Sequence, residues 1–384
     1  MAEPIRRVLA IEPYAAGSHR SFLEGLTRWS RHEWVVSTLP PRKWKWRLRT
    51  SALHFAREVV SGGPWDLLFV SDYLNLAELV ALLPPPLRDI PAIVYFHENQ
   101  LTYPLQDGER RDVHFGLNHL YAMLAARSVA FNSAFHQREF ARALEALLAL
   151  VPDVATRPWL DAALAKAVVQ PLGHELEARP PRGACDRPPI IAWNHRWEYD
   201  KDPAAFLAAL RELDARGLDF RIRLLGQRFE TVPPEFDEIT LQFAHRLDHV
   251  GFVADRGEYF EQLAGADIVV STANHDFFGL GTLEALRLGL YPVLPDDLAY
   301  PELLPDRADV REAFLYPRAV GLAEPLARAL RHVRDGELLE LRESVVRHTD
   351  EFHWSRLAPR YDALIAAAIA SRHSGPAEAA SSRG

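Results

Sequence analysis

The sequence predicts an α/β protein made of two similar halves, each built on a parallel sheet. Strand-length apolar runs alternate with helix-length segments along the chain, which is the signature of βαβ units. A Pro-rich stretch, Arg179-Pro180-Pro181-Arg182-Gly183 continuing to Pro188-Pro189, interrupts the alternation near the middle and reads as a linker. A length of 384 residues allows two or three domains with a sizeable core.

In the first half the strands fall at 7–11, 34–38, 67–70, 92–96 and 128–132. The first runs into Glu12-Pro13-Tyr14-Ala15-Ala16-Gly17-Ser18-His19. There Gly17 permits close backbone approach, and Ser18 suits the cap of a helix starting near His19. The alternative is a plain strand–turn–helix connection. After the fourth strand comes His97-Glu98-Asn99-Gln100-Leu101-Thr102-Tyr103-Pro104, dense in polar groups for a short loop. Residues 144–165 are Ala/Leu-rich and read as a helical excursion before the linker.

In the second half the strands fall at 190–193, 221–225, 249–252, 267–271 and 291–294. Between the first two, residues 204–216 carry Phe206, Leu207, Leu210 and Leu213 on one helical face. These readings give an N-terminal domain over 1–177 and a second domain over 186–352. A helix at about 353–371 is expected to return to the first domain. The small, polar residues 372–384 are expected to be disordered.

A net charge of -8 argues against coating nucleic acid by bulk electrostatics, but not against a local basic patch. The single cysteine, Cys185, excludes an internal disulfide and a Cys-based zinc cluster, which fits a reducing, cytoplasmic setting. Behind Arg6-Arg7 the apolar run Val8-Leu9-Ala10-Ile11 is short for a signal peptide. No uncharged apolar stretch approaches the roughly 18 residues that a transmembrane segment needs.

Chemistry-bearing residues collect where strands end, the position at which open parallel sheets bind ligands. After 190–193 the chain reads Trp193-Asn194-His195-Arg196-Trp197-Glu198-Tyr199-Asp200-Lys201. Arg196 and Lys201 suit a diphosphate clamp; the plainer alternative is a charged loop pairing Glu198, Asp200 or Asp202. After 267–271 comes His275-Asp276-Phe277-Phe278-Gly279, and Glu284 follows inside a helix that opens near Gly279. Asp276 and Glu284 suit sugar and ribose hydroxyls, or else an acidic helix start favoured by the helix dipole. Gly279-Leu280-Gly281 lacks the third glycine of a dinucleotide fingerprint and reads as helix-start packing. His97 suits a sugar hydroxyl or a reacting oxygen; its loop could instead only cap neighbouring helices. His114, His119 and His136 read as structural or exposed.

Arg42-Lys43-Trp44-Lys45-Trp46-Arg47-Leu48-Arg49 alternates basic and aromatic residues, and no acidic residue occurs from Trp34 through Arg57. Nucleic acid and an anionic membrane are its two candidate partners, a solvated face its plain alternative. No metal is expected: Asp200-Lys201-Asp202 has the Asp-x-Asp form, but Pro203 marks Asp202 as a helix cap.

These residues resemble a retaining glycosyltransferase of the GT-B fold, with two Rossmann-like domains whose parallel sheets face across a cleft. Arg196 and Lys201 match that group's diphosphate-binding pair. Asp276 through Glu284 match its acidic–seven–Glu motif, with Asp where the group more often has Glu. His97 matches the histidine that follows a first-domain strand. More narrowly, Glu12-Pro13-Tyr14, Gly17-Ser18-His19, His97–Leu101 with Tyr103-Pro104, Trp193–Lys201 and Leu298-Ala299-Tyr300-Pro301-Glu302 resemble the tRNA-queuosine α-mannosyltransferase family. The resemblance implies transfer of mannose from GDP-mannose to queuosine in a tRNA anticodon, with retention and without a metal or other cofactor. It implies His97, Arg196, Lys201 and Asp276 as catalytic residues. Gly17, Asn194, Phe278, Gly279 and Glu284 join the last three around the donor. Ser18, His19, Glu98, Asn99, Lys43, Lys45 and Arg47 are implied on the acceptor side. A glycosyltransferase using a lipid or polysaccharide acceptor at a membrane surface is the alternative.

Overall fold

Leu67–Ser71, Ala92–Phe96 and Ile190–Trp193 are buried along their whole length, as strands of a parallel sheet covered on both faces must be. The computed structural model describes residues 4–105, 108, 110–228 and 232–371. The tail expected to be disordered, 372–384, lies outside the described residues.

In the first unit β1 (Arg7–Glu12), β2 (Glu33–Thr38), β3 (Leu67–Ser71), β4 (Ala92–Phe96), β5 (Ser128–Phe131) and β6 (Ala167–Val169) form one sheet. Its order is β2-β1-β3-β4-β5-β6, and every neighbouring pair is parallel. In the second unit β7 (Ile190–Trp193), β8 (Arg221–Leu225), β9 (Leu247–Gly251), β10 (Ile268–Val270), β11 (Tyr291–Pro295) and β12 (Leu315–Tyr316) form another. That order is β12-β11-β10-β7-β8-β9, again parallel throughout. The winding reverses between β1 and β3 in one sheet and between β7 and β10 in the other. Such reversals open a crevice at the carboxyl ends of the flanking strands.

Three expectations need correction. The edge strands β6 and β12 are absent from the sequence reading, because three and two residues carry no measurable periodicity. The expected helix over 144–165 is two helices, Ala134–Leu148 and Arg157–Leu164, broken around Pro152 and Asp153, whose φ is +61°. The Pro-rich linker belongs to the second unit, since contacts divide the chain between Glu175 and Leu176 and between Glu351 and Phe352. Its Arg179 N–H donates to the Arg287 carbonyl (3.0 Å), and Arg182 reaches the Gly265 carbonyl (3.0 Å). Its arginines thus satisfy carbonyls that would otherwise lack partners.

The last helix, Trp354–Ala370, packs on the first unit. Tyr361 donates from its hydroxyl to the carbonyls of Gln170 (3.0 Å) and Pro171 (2.8 Å). Trp354 lies against Gly25 and Gly173, where a Cβ would come within 2.0 Å and 2.5 Å of its ring.

Candidate active site

In the second unit the loops leaving β7 and β10 meet. Trp193 and Trp197 hold the first in shape. Trp193 Nε1 donates to Thr272 Oγ1 (3.3 Å), and Trp197 stacks on Phe236 with centroids 4.4 Å apart and planes 6° apart. Both indoles are buried and anchor the loop. The chain then turns through Tyr199–Lys201 into the helix Pro203–Ala215. Asp202 caps that helix by accepting from Ala205 N–H (3.1 Å), so the Asp-x-Asp form has a structural use.

Lys201 is buried. Its Nζ donates to the His275 carbonyl (2.6 Å) and lies 3.2 Å from Asp200 Oδ2 and 3.7 Å from Asp276 Oδ2. Asp276 also accepts from Tyr300 hydroxyl (3.2 Å) and Phe278 N–H (3.4 Å). Burial pushes its carboxyl up, but Lys201 with His195 and His275 outweighs burial and holds it below the usual carboxylate range. Burial and Lys201 together push His195 down to about 4 and His275 down to about 3. Both imidazoles are therefore neutral near pH 7. Arg196 is half exposed, 3.0 Å from Glu198 Oε2, and adds to the positive potential at His275. An anion reaching this loop meets one guanidinium at its mouth and one ammonium within.

Asn194 ties this loop to the helix Leu280–Arg287, donating through Nδ2 to the Gly281 carbonyl (2.8 Å). A Cβ at Gly281 would lie 3.2 Å from that amide nitrogen, so the glycine permits the approach. Gly279 precedes the helix at φ +85°, and Phe278 is buried beside it. Glu284 is buried one turn on, its Oε1 accepting from Arg256 Nη2 (2.7 Å). Burial raises its carboxyl, opposed by Arg256.

In the first unit the loops leaving β1, β3 and β4 bring Glu12, His19, Asp72 and His97 together. His97 N–H donates to Asp72 Oδ1 (2.9 Å), and Asn132 donates to the His97 carbonyl (2.8 Å). The His97 ring stacks on that of His19 at 3.9 Å, and its Nδ1 has no hydrogen-bond partner among the described residues. His19 Nδ1 is 3.0 Å from Glu12 Oε2. Burial works against the charged form of His19, but Glu12 overrides it and raises the ring to about 9. Burial and the His19 charge hold His97 well below its usual value. Glu12, His19 and His97 offer ligand atoms within 4.8 Å of one another.

Three residues expected on the acceptor side are placed in this region. His19 is buried against Glu12 and faces inward. Asn99 is fully buried and closes its own loop, its Oδ1 accepting from Leu101 and Thr102 N–H (both 3.0 Å). Ser18 caps nothing: the helix spans Gly17–Trp29, beginning at Gly17 with φ +49°, and places Ser18 in its first turn. Glu98 accepts from Tyr73 hydroxyl and Gln100 Nε2 (2.9 Å).

The basic–aromatic stretch opens the helix Trp44–Gly62. Trp44 packs toward Tyr73 and Phe115, whereas Trp46 is 67% exposed. Arg42, Lys43 and Lys45 are exposed. Arg47 folds back onto the Pro40 carbonyl (3.2 Å), and Arg49 pairs with Asp112 (2.9 Å). The outward patch is thus smaller than the sequence implies.

Asp72, Tyr259 and Arg256 were missed by sequence reasoning, and Glu12, though quoted at the end of the first strand, was given no role of its own. Asp72 follows β3 at the sheet crevice, and reading every strand's carboxyl end would have found it. Arg256 and Tyr259 carry no such signal.

Residues 7–173 match a family described as tRNA-queuosine alpha-mannosyltransferase N-terminal. The chain is 37% identical over 309 residues to tRNA-queuosine alpha-mannosyltransferase of Drosophila melanogaster, covering 78% of this chain and 81% of that one. It is 28% identical over 217 residues to GDP-mannose-dependent alpha-(1-6)-phosphatidylinositol dimannoside mannosyltransferase of Mycobacterium tuberculosis, covering 54% of each. Among solved structures, sucrose-phosphate synthase of Thermosynechococcus elongatus superposes with a TM-score of 0.67 at 15% identity, covering 94% of this chain and 98% of that one. That likeness shows a shared fold.

Proposed function

The chain belongs to the tRNA-queuosine alpha-mannosyltransferase family, and from that premise we infer that it transfers mannose from GDP-mannose to a hydroxyl of queuosine in a tRNA anticodon, with retention at the anomeric carbon. The fold is that of GT-B glycosyltransferases, and no described helix is long and apolar enough to cross a membrane.

The observation that carries the chemistry is the Lys201–Asp276 contact of 3.7 Å at the sheet's carboxyl edge. Departure of a nucleoside diphosphate leaves negative charge on the β-phosphate. Preorganised cations in a water-poor site stabilise that charge most effectively. Lys201 is such a cation, fixed from three sides, and Arg196 supplies a second at the loop's mouth. Asp276, held ionised, accepts hydrogen bonds from mannose hydroxyls, and Glu284 accepts from the donor ribose. Asn194, Phe278 and Gly279 shape the same pocket.

His97 is the polar group of the first unit suited to the reacting end of the sugar. It is neutral, backbone-clamped, and holds an Nδ1 without a described partner. Gly17 leaves open space above its backbone, since a Cβ there would meet nothing within 4 Å. Arg42, Lys43, Lys45 and Trp46 suit tRNA, the cations meeting phosphates and the indole stacking on a base. No step needs a metal.

Purified protein given GDP-mannose labelled in the sugar should label queuosine-containing tRNA and leave queuosine-free tRNA unlabelled. Label from UDP-galactose instead would overturn the donor assignment. Labelling of both tRNAs would overturn the acceptor assignment.

A further inference from the structure

Glu284 sits at the centre of a side-chain chain that crosses three segments. Asn194, from the loop after β7, donates through Nδ2 to the Tyr259 hydroxyl oxygen (3.3 Å). Tyr259 lies beside Glu284 and favours its ionised form. Arg256 Nη2 reaches Glu284 Oε1 at 2.7 Å. Arg256 and Tyr259 share the first turns of the helix Arg256–Ala264. The Glu284 side chain is only 5% exposed, while that of Arg256 is 58% exposed and lies over the Phe260 ring at 4.7 Å.

An ionised carboxylate offers about four acceptor positions. Arg256 occupies one, and Tyr259, itself tied to Asn194 Nδ2 (3.3 Å), stands beside the group, so the remaining positions point in a set direction. Burial alone would favour the protonated form, which accepts less well; both partners favour the charged form. Asn194 Oδ1, in the same chain, is buried and has no partner among the described residues. The arrangement is a pair of oriented acceptors backed by a guanidinium and a phenol, which is what a vicinal diol requires.

We propose that Arg256 and Tyr259 are positioning residues for nucleotide-sugar binding, holding Glu284 so that it reads the ribose 2′- and 3′-hydroxyls. The proposal rests on the reading that this unit binds the donor. It assigns work to two residues that lie outside both sequence motifs.

The test is calorimetric titration of the full chain with GDP and with 2′,3′-dideoxy-GDP, for wild type, Arg256→Ala, Arg256→Lys and Tyr259→Phe. Wild type should prefer GDP by about tenfold or more, the scale of hydrogen bonds to a charged group. Arg256→Ala and Tyr259→Phe should bring the two ligands within about threefold of each other, and Arg256→Lys should recover part of the preference, since it keeps the charge but loses the fork. A merely structural role would weaken both ligands together and leave the ratio unchanged, which would overturn the proposal. Tyr259→Phe deletes one hydroxyl and preserves the ring, so it decides the matter even where Arg256→Ala fails to fold. Equal binding of the two ligands by wild type would overturn the proposal and leave the donor reading standing. Binding of neither would overturn the donor reading and the proposal with it.

Discussion

The imidazoles of His19 and His97 stack with centroids 3.9 Å apart, and Glu12 assigns the proton to His19. Two like-charged rings at that distance would repel, so protonation of one keeps the other neutral. A neutral His97 can accept a hydrogen bond from a sugar hydroxyl.

This pairing predicts a pH signature. The folded-state value of His19, raised to about 9 from 6.5, makes its stabilising contribution complete below about 6.5 and lost as pH rises towards about 9. His19→Gln should flatten the stability profile across that window, by up to about 3 kcal/mol. Urea unfolding of wild type and variant at pH 6.5 and 9 measures it. An unchanged slope would mean that His19 is not charged in the folded state.

Lys201→Ala should lower kcat by about a hundredfold or more, as loss of one preorganised charge in an enclosed site does. It should also lower Tm, because Asp200 and Asp276 lose a buried cation. Lys201→Arg should restore little, since a planar guanidinium does not fit a site with three converging oxygens. Steady-state kinetics with thermal melts separates the two effects.

The exposed patch predicts unequal roles for neighbouring cations. Neutralising Arg42, Lys43 and Lys45 together should weaken tRNA binding and reduce the salt slope by about three. Arg49→Ala should do much less, because Asp112 already neutralises that charge. GDP affinity should not change in either variant. Filter binding across a salt series reads the result. Binding of the wild type to anionic vesicles in place of tRNA would assign the patch to a membrane.

Asn99→Ala should cost about 1–3 kcal/mol of stability, the penalty for leaving the Leu101 and Thr102 N–H groups without their acceptor. Transfer should fall through a displaced His97–Glu98 segment, with tRNA affinity nearly intact. A large loss of tRNA affinity at unchanged Tm would return Asn99 to the acceptor surface.

The legible parts of this molecule are those where local chemistry and chain order agree. Buried strands announce themselves as apolar runs, and the Trp193–Lys201 and His275–Glu284 segments stand out because charged and amide groups follow such runs directly. Less legible is any property set by a partner far along the chain. Arg49 looks available until Asp112 is placed against it, and His19 looks like a surface ligand until it folds onto Glu12 and His97. Asn99 reads as a binding amide, but its own loop needs the acceptor more. Arg256 and Tyr259 lie on an ordinary amphipathic helix and gain meaning only beside Glu284. The edge strands β6 and β12 are too short to carry a pattern.

The most direct measurement is mass spectrometry of nucleosides digested from tRNA after incubation with GDP-mannose and the purified chain. Queuosine should gain one hexose, the gain should be absent with queuosine-free tRNA, and Lys201→Ala should slow it by about a hundredfold or more. Queuosine recovered unmodified, while the wild-type protein binds both GDP and tRNA, would contradict this reading.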